Sequence, residues 1–193
     1  MTTWMLALLL AAAPAEPAAA PPPAPAGAWD PASRIAAQRE AMKALAFMDG
    51  AWRGKAVTDR LPDGFVHTER SGSLLDGTVR LVEGRSYDEK GGTRFNAFAT
   101  ISFDPGRRVY TMHSHAMGFA GDFPLAVRPD GYSWAQPAGP GAEIRYTATV
   151  AGGAWREVGE RVAAGSPPQK VFEMNLRRVG ATTWPQDGAV GPR

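Results

Sequence analysis

The chain has 193 residues, of which 44% are hydrophobic and 21% charged, a composition typical of one globular domain with a sizeable core. Its net charge of +2 comes from basic residues spread along the sequence rather than clustered, so we expect no nucleic-acid partner. The sequence contains no cysteine, which excludes disulfides, thiol catalysis and thiolate metal sites.

The first 20 residues have the features of a secretory signal peptide. The apolar run from Trp4 to Ala13 is too short to cross a bilayer as a helix, and an Ala-x-Ala cleavage site ends at Ala20. Residues 21–29 form a linker rich in Pro and Ala, which we expect to be extended. The sequence therefore predicts a periplasmic or secreted protein with no membrane span after cleavage.

Residues 30–48 predict one amphipathic helix. The segment begins with Asp and Pro, which suit the N-cap and the first helical position. Ile35, Met42 and Leu45 follow at helical spacing, with charged residues between them. The sequence leaves open whether this helix clamps one end of the next domain or stands away from it.

From residue 49 to residue 180 the apolar period becomes 2, and turn motifs such as Leu61-Pro-Asp-Gly64 recur at short intervals. The links are too short for parallel crossovers, and closing the sheet removes its edges. We therefore predict a mainly β fold, an antiparallel up-and-down β-barrel of about ten strands, followed by a tail over residues 181–193. A two-sheet sandwich is the alternative. The predicted strands cover residues 52–60, 65–74, 78–87, 93–103, 108–117, 122–128, 132–136, 143–151, 154–163 and 170–179.

A short motif marks each end of this β region. Gly50-x-Trp52 stands at the start of the first strand, and Arg177 and Arg178 stand at the end of the last. The combination resembles the lipocalin signature, and residues 48–184 resemble an uncharacterised bacterial family of exported lipocalin-like (calycin-type) barrels. The resemblance implies that Gly50, Trp52 and Arg177 close the barrel base. The chain lacks the lipocalin disulfide and long first loop, so the resemblance implies shape and closure rather than a ligand class.

A barrel of this size has room for a ligand, so we predict binding of a small, mainly apolar molecule with one polar end. Charged residues recur at mid-strand, and we select Glu83, Arg85, Glu157 and Glu173 as an inward set that orients the polar end. The alternative is that these residues form ion pairs on the solvated outer wall.

Aromatic residues supply candidate walls for the same cavity. Phe98, Trp134 and Tyr146 are the ones that we select, together with Trp155. Each of them is also consistent with an ordinary core position.

His113 and His115 lie two residues apart, so a strand places both on one face. We retain both as candidate ligand contacts. Two other roles stay open: a zinc site completed by His67 or Glu173, and an axial haem ligand as in lipocalin-like haem barrels. A solvated or structural face is the interpretation that we favour, and we expect no metal or cofactor.

Two other function classes remain. The resemblance allows a cavity enzyme, a decarboxylase or isomerase, with Tyr87, Arg85 and Glu83 as a possible trio. The sequence has no nucleophile elbow, phosphate-binding loop or zinc-protease motif, so an enzymatic role is less favoured. The third class is a structural envelope module whose barrel is filled by its own side chains.

Overall fold

Ten antiparallel strands close into a barrel in the computed structural model, which describes residues 30–183 and 190–193. Each strand pairs with its neighbours in sequence, and β1 pairs with β10 to complete the ring. The predicted mainly β, up-and-down barrel is confirmed. The strands are β1 (Gly50–Thr58), β2 (Leu61–Leu74), β3 (Val79–Tyr87), β4 (Thr93–Asp104), β5 (Val109–Ala116), β6 (Phe119–Arg128), β7 (Gly131–Pro137), β8 (Ala142–Ala151), β9 (Ala154–Ala163) and β10 (Gln169–Gly180).

The first hairpin differs from its prediction. The chain reverses at Asp59 and Arg60, and the Leu61-Pro-Asp-Gly64 motif lies inside β2. The pairing of β1 with β2 shifts register after Ala56, and Gly64 has a positive φ of 76°. The motif therefore forms an irregularity in the strand, where glycine supplies the left-handed conformation, rather than the hairpin turn itself.

The N-terminal helix α1 spans Pro31–Met42 and continues as a 3₁₀ turn over Lys43–Met48. Asp30 is its N-cap, and the carboxylate accepts hydrogen bonds from the backbone nitrogens of the second and third helical residues. The single N-terminal helix is confirmed. Its predicted apolar stripe is shorter than expected, because Ile35 is 45% exposed and burial begins only at Met42.

The end of α1 and the 3₁₀ turn clamp the base of the barrel. Leu45 and Met48 are fully buried, and Met48 O accepts a 2.9 Å hydrogen bond from Trp52 Nε1. Inside the base, Trp52 packs edge to face on Trp155 with 5.6 Å between ring centroids. These contacts close one end of the barrel and leave the opposite end as its mouth.

Gly50 has a φ of 127°, and the side chain of Arg178 lies close to it. A Cβ at this position would be 2.7 Å from Arg178 Nε. The missing side chain lets Arg178 reach across and donate to Asp49 O at 3.1 Å. Arg178 also faces Trp52 across the β1–β10 pairing. Arg177 lies on the opposite face and is exposed, so the arginine at the base is Arg178 and the prediction of Arg177 was wrong by one residue.

A second arginine at the base was not predicted. The side chain of Arg80 is 2% exposed, pairs with the Asp49 carboxylate and lies 3.3 Å from Ser71 Oγ. The Asp49 carboxylate therefore pairs with Arg80, and the Asp49 backbone carbonyl accepts a hydrogen bond from Arg178. This arrangement joins the end of the helical segment to β3 and β10.

The last residues of the chain lie against the outer wall. Val190 O accepts hydrogen bonds from the hydroxyls of Thr68 on β2 and Tyr87 on β3. The predicted signal peptide, the linker over residues 21–29 and residues 184–189 of the predicted tail lie outside the described residues. Within the described part of the chain, no helix is long and apolar enough to cross a membrane.

Candidate ligand cavity

The barrel encloses a cavity of about 800 Å³. It extends from the mouth, where Phe119 is 81% exposed, to Trp155 and Met174 above the closed base. A volume of this order accommodates a drug-sized molecule. The barrel is therefore not filled by its own side chains.

Strand alternation decides which residues reach this cavity. On β4 the inner face carries Phe95, Ala97 and Ala99, and on β10 it carries Phe172 and Met174. These are the apolar sets of the two strands. Most of the wall is accordingly apolar, with aromatic rings between small residues.

An aromatic cluster forms one side of the cavity. Trp134 on β7 stacks on Tyr146 of β8, with ring centroids 4.2 Å apart and planes inclined by 9°. Phe123 and Phe172 flank this pair, at 5.2 Å from Trp134 and 6.1 Å from Tyr146. The stack gives a flat and rigid apolar surface suited to a ring or an alkyl chain.

Glu157 lies below this cluster, towards the base, and is 7% exposed. Tyr132 donates from its hydroxyl to Oε2 at 2.7 Å, and Trp134 donates from Nε1 to Oε1 at 3.2 Å. Burial raises the pKa of Glu157 to about 7; the Tyr132 hydrogen bond opposes the rise and the negative charge of Glu69 adds to it. The carboxyl group therefore changes charge near neutral pH.

The two tyrosines beside Glu157 keep their protons. Burial, and then the charge of Glu157, raise the pKa of Tyr132 well above its usual range. The same two causes raise the pKa of Tyr146 to about 12. Both phenols consequently act as neutral hydrogen-bonding groups at physiological pH.

A second acidic group faces Glu157 from β2. Glu69 Oε1 lies 2.9 Å from His67 Nε2, and His67 Nδ1 lies 2.8 Å from Ser86 Oγ. Since an ionised carboxylate only accepts, His67 donates from Nε2, and its Nδ1 then accepts from the Ser86 hydroxyl when the ring is neutral. The chain of contacts fixes the orientation of Glu69.

One oxygen of this carboxylate has no such contact. Glu69 Oε2 is buried, and no hydrogen-bond partner for it exists among the described residues. A buried carboxylate oxygen without a partner is costly in free energy. Glu69 therefore offers an unused acceptor at the floor of the cavity.

Gly84 makes the position of Glu69 possible. The two residues face each other across the β2–β3 pairing, and a Cβ at Gly84 would lie 2.7 Å from Glu69 Oε1. Any other residue at this position would push the carboxylate aside. The glycine thus serves a close approach rather than an unusual backbone conformation.

Trp155 adds an indole to the same floor and is 1% exposed. Its N–H points towards the Tyr132 oxygen, an approach that opposes the rise in the Tyr132 pKa. Within the described residues, the Trp155 N–H makes no hydrogen bond of normal geometry.

Three of the nine predicted ligand-binding residues line this cavity: Trp134, Tyr146 and Glu157. Contact of these residues with a ligand stays a prediction. The other six do not line it, and our expectation that they face inward was wrong in placement. They are Glu83, Arg85, Phe98, His113, His115 and Glu173.

The charged members of this group form ion pairs on the outer wall. Glu83 accepts from Arg70 at 2.8 Å and from Arg85 at 2.7 Å. Glu173 pairs with Arg156 and Lys170, and the Lys170 hydrogen bond is the first cause that lowers its pKa to about 2. Their partners lie on the same outer face, which agrees with the alternative interpretation in placement, although Arg70 and Glu83 are only 8% and 13% exposed there.

The predicted trio of Tyr87, Arg85 and Glu83 also lies outside the cavity. Tyr87 points outward and donates its hydroxyl hydrogen to Val190 O. The inner residues of β3 are Val82, Gly84 and Ser86, since they alternate with the trio.

His113 and His115 share one face, as their spacing predicted, with ring centroids 4.8 Å apart. Both are exposed on the outer face of β5, and His113 pairs with Asp122. Neither side chain reaches the cavity, where a haem would have to bind. Within residues 30–183 and 190–193, no group of three or more His, Asp or Glu residues is arranged to hold a metal ion.

Sequence reasoning missed His67, Glu69, Ser86 and Tyr132 as a group. A signal was present in the alternation, because His67 and Glu69 share a strand face with Phe65, and Glu157 shares one with Trp155. A charged residue two positions from a large apolar residue on the same strand is a candidate for the inside of a barrel.

No family model and no curated protein matches the sequence. Among solved structures, the crystal structure of Rv2717c from M. tuberculosis is similar, with 12% sequence identity and a TM-score of 0.52. The match covers 72% of this chain and 96% of that one. At this identity the likeness concerns the fold alone, and it supports the closed barrel as a known architecture.

Proposed function

We propose that this protein binds a small, mainly apolar molecule with one polar end, held in the central cavity with the polar end at the floor. The observation that carries the proposal is the cavity of about 800 Å³, whose walls are aromatic and apolar and whose floor holds Glu69, Glu157 and His67. Specific small-molecule sites commonly combine an apolar lining with a few fixed polar groups.

The closed base supports a lipocalin-like type of binding barrel. Trp52, buried beneath Trp155 and hydrogen-bonded to Met48 O, resembles the lipocalin indole at the base, and Arg178 takes the position of the C-terminal arginine. A barrel with one closed end and one open end admits a ligand from the mouth only. This geometry suits a carrier or sensor of an apolar molecule.

We propose in addition that the protein acts outside the cytoplasm, because the run from Trp4 to Ala13 has the length and composition of a signal-peptide core. Expression of the full chain in a Gram-negative host should remove about 20 residues and place the product outside the cytoplasm. An intact Met1 in the cytoplasmic fraction would contradict export.

The binding proposal can be tested with N-phenyl-1-naphthylamine, a neutral apolar fluorophore whose emission rises on leaving water. We expect saturable binding of one molecule per chain. Ala97→Phe should weaken binding by at least about tenfold, since the added ring occupies the cavity.

The matched control is Asn96→Phe. It adds the same ring at the next residue of β4, which is exposed and faces outward. Equal binding by the wild type and both variants would place the fluorophore outside the barrel. Native mass spectrometry of the protein purified from its own host would then identify any molecule that it retains.

A second candidate, a cavity enzyme that moves a proton, is favoured by one observation: Glu157 sits in a substrate-sized cavity with a pKa of about 7. The retained molecule, returned in excess to fresh protein, should change in mass or isomeric form if the cavity is catalytic. Glu157→Gln should abolish that conversion. An unchanged molecule after many protein equivalents supports binding alone.

A further inference from the structure

We propose that the polar end of the ligand is a protonated amine, which the floor of the cavity receives between Glu69 and Glu157. This inference rests on the proposed binding function and names the chemical class of the ligand. It follows from the charge balance of the floor, from an unused acceptor and from the position of the arginines of the described residues, which lie away from the two carboxyl groups.

The floor carries two carboxyl groups close enough to interact, because the charge of Glu69 contributes to the raised pKa of Glu157. His67 is the only basic side chain of the described residues that meets them there, through Glu69 Oε1. A positive charge brought by a ligand would relieve the repulsion between the two carboxylates.

The hydrogen bonds at the floor leave one position for a donor from a ligand. Both oxygens of Glu157 accept from protein groups, from Tyr132 and Trp134, whereas Glu69 Oε2 is buried without a partner among the described residues. A carboxylate oxygen accepts hydrogen bonds only. A head group with N–H donors satisfies this oxygen, whereas a carboxylate or phosphate head group would add repulsion.

Arginines of the barrel do not supply this charge. Arg94 is the one arginine among the described cavity-lining residues, and it lies exposed near the mouth, paired with Asp88 at 3.7 Å. Arg80 is buried at the base and engaged by Asp49. The position beside Glu69 and Glu157 is therefore left for a cation from outside the chain.

The walls suit the remainder of such a molecule. Trp134 and Tyr146 line the approach to the floor, and Trp155 lies in the floor itself. Aromatic faces attract cations as well as apolar chains. An amphiphile with an ammonium head and an alkyl or aromatic body thus matches the cavity at both ends.

The test uses three probes with the same chain and different heads: decylammonium, decan-1-ol and decanoate. Each displaces N-phenyl-1-naphthylamine from the full barrel at pH 7.5. We expect decylammonium to bind at least about tenfold more tightly than decanol, because hydrogen bonds between charged groups are the strong ones. Decanoate should be the weakest.

Glu69→Gln keeps the shape of the side chain and removes its charge. It should reduce the preference for decylammonium over decanol to less than about threefold, and a far-ultraviolet circular dichroism spectrum equal to that of the wild type is the evidence of an intact barrel. Glu157→Gln, which removes the other carboxyl charge, is the second variant. Glu83→Gln is the matched control, since Glu83 lies on the outer wall and its loss should leave the preference intact.

The outcomes separate the two proposals. Fluorophore binding with equal affinity for decylammonium and decanol, or a preference that survives both inner substitutions, overturns the amine assignment and leaves the binding function in place. Failure of the fluorophore and of all three decyl probes to bind overturns the binding function and this inference with it.

Discussion

Glu157 on β9 and Glu173 on β10 lie one residue apart in register, since Glu157 pairs with Met174 and Glu173 pairs with Val158. Glu157 faces the cavity, where burial raises its pKa to about 7. Glu173 faces outward, where hydrogen bonds from Lys170 and Asn175 help to lower its pKa to about 2.

The two pKa values differ because the inner and outer faces of the barrel wall stabilise a carboxylate in different ways. On the outer face, flexible cations and water stabilise a carboxylate, and any one partner can be lost. On the inner face a carboxylate has a few fixed neighbours, so each change of charge alters stability or ligand affinity. The predictions below test this contrast and the closure of the base.

Trp52→Ala should cause the largest loss, about 3–5 kcal/mol of unfolding free energy, because it leaves a large cavity in the core of the base. Urea unfolding followed by circular dichroism measures the change. Phe119→Ala is the control: the side chain is 81% exposed at the mouth, and its loss should cost less than about 0.5 kcal/mol. Similar small losses at both positions would show that Trp52 does not hold the base.

Glu157 should make stability depend on pH. The native state retains this proton between about pH 4.5 and 7, where the unfolded chain has lost it, so stability falls as pH rises through that window. The wild type loses this stability as pH rises and Glu157→Gln does not. The unfolding free energy of the variant, relative to that of wild type, should therefore rise by up to about 3 kcal/mol from pH 4.5 to pH 8. The titratable groups that face this carboxyl are Tyr132, Tyr146, Glu69 and His67.

Glu173→Gln tests the opposite sign. The contribution of Glu173 is present above about pH 4.5 and is lost as pH falls towards 2, its folded-state pKa. Solvent screening on the outer wall limits it to at most about 1 kcal/mol. Urea titrations of both variants from pH 3 to pH 8 give the comparison, and slopes of the same sign for the two residues would contradict it.

Asp49→Asn should cost about 2–3 kcal/mol, because it removes the carboxylate from the buried guanidinium of Arg80. This loss is at or below the lower limit of the range expected for breaking a fully buried ion pair, because the side chain of Asp49 is 46% exposed. Thermal unfolding at neutral pH measures it. A loss below about 0.5 kcal/mol would mean that the hydroxyls of Ser71 and Ser73, at 3.3 Å and 3.5 Å from the guanidinium, suffice as partners of Arg80.

The architecture was predictable because its signals are local. Turn residues at short intervals and period-2 strands imply antiparallel neighbours, and ten such strands avoid free edges by closing. The N-terminal helix followed from Asp30 and Pro31 in the same way. None of these inferences depends on which face of a strand points inward.

The site depended on that missing information. On β4 the apolar face is the inner one. On β3 the inner face is mixed, because it carries Arg80 and Ser86 beside Val82 and Gly84, and Glu83 and Arg85 lie on the outer face. A shift of one residue exchanges the two faces, so the same sequence pattern allowed Glu83 in the cavity. Glu157 was placed correctly, and its partner Glu69 was not recognised, because their proximity arises only when the barrel closes.

Arg85→Met should have a small effect, and it separates the outer wall from the inner one most directly. Methionine roughly keeps the length and the apolar stem of the arginine, and Glu83 retains Arg70 at 2.8 Å as a partner. No carboxylate is orphaned, so the loss at neutral pH should be at most about 1 kcal/mol, with no recovery in mild acid. Chemical unfolding at pH 5 and pH 7 measures both quantities. If Arg85 instead neutralised a buried carboxylate, its removal would cost about 3–5 kcal/mol, and mild acid would restore part of it by protonating the orphaned group.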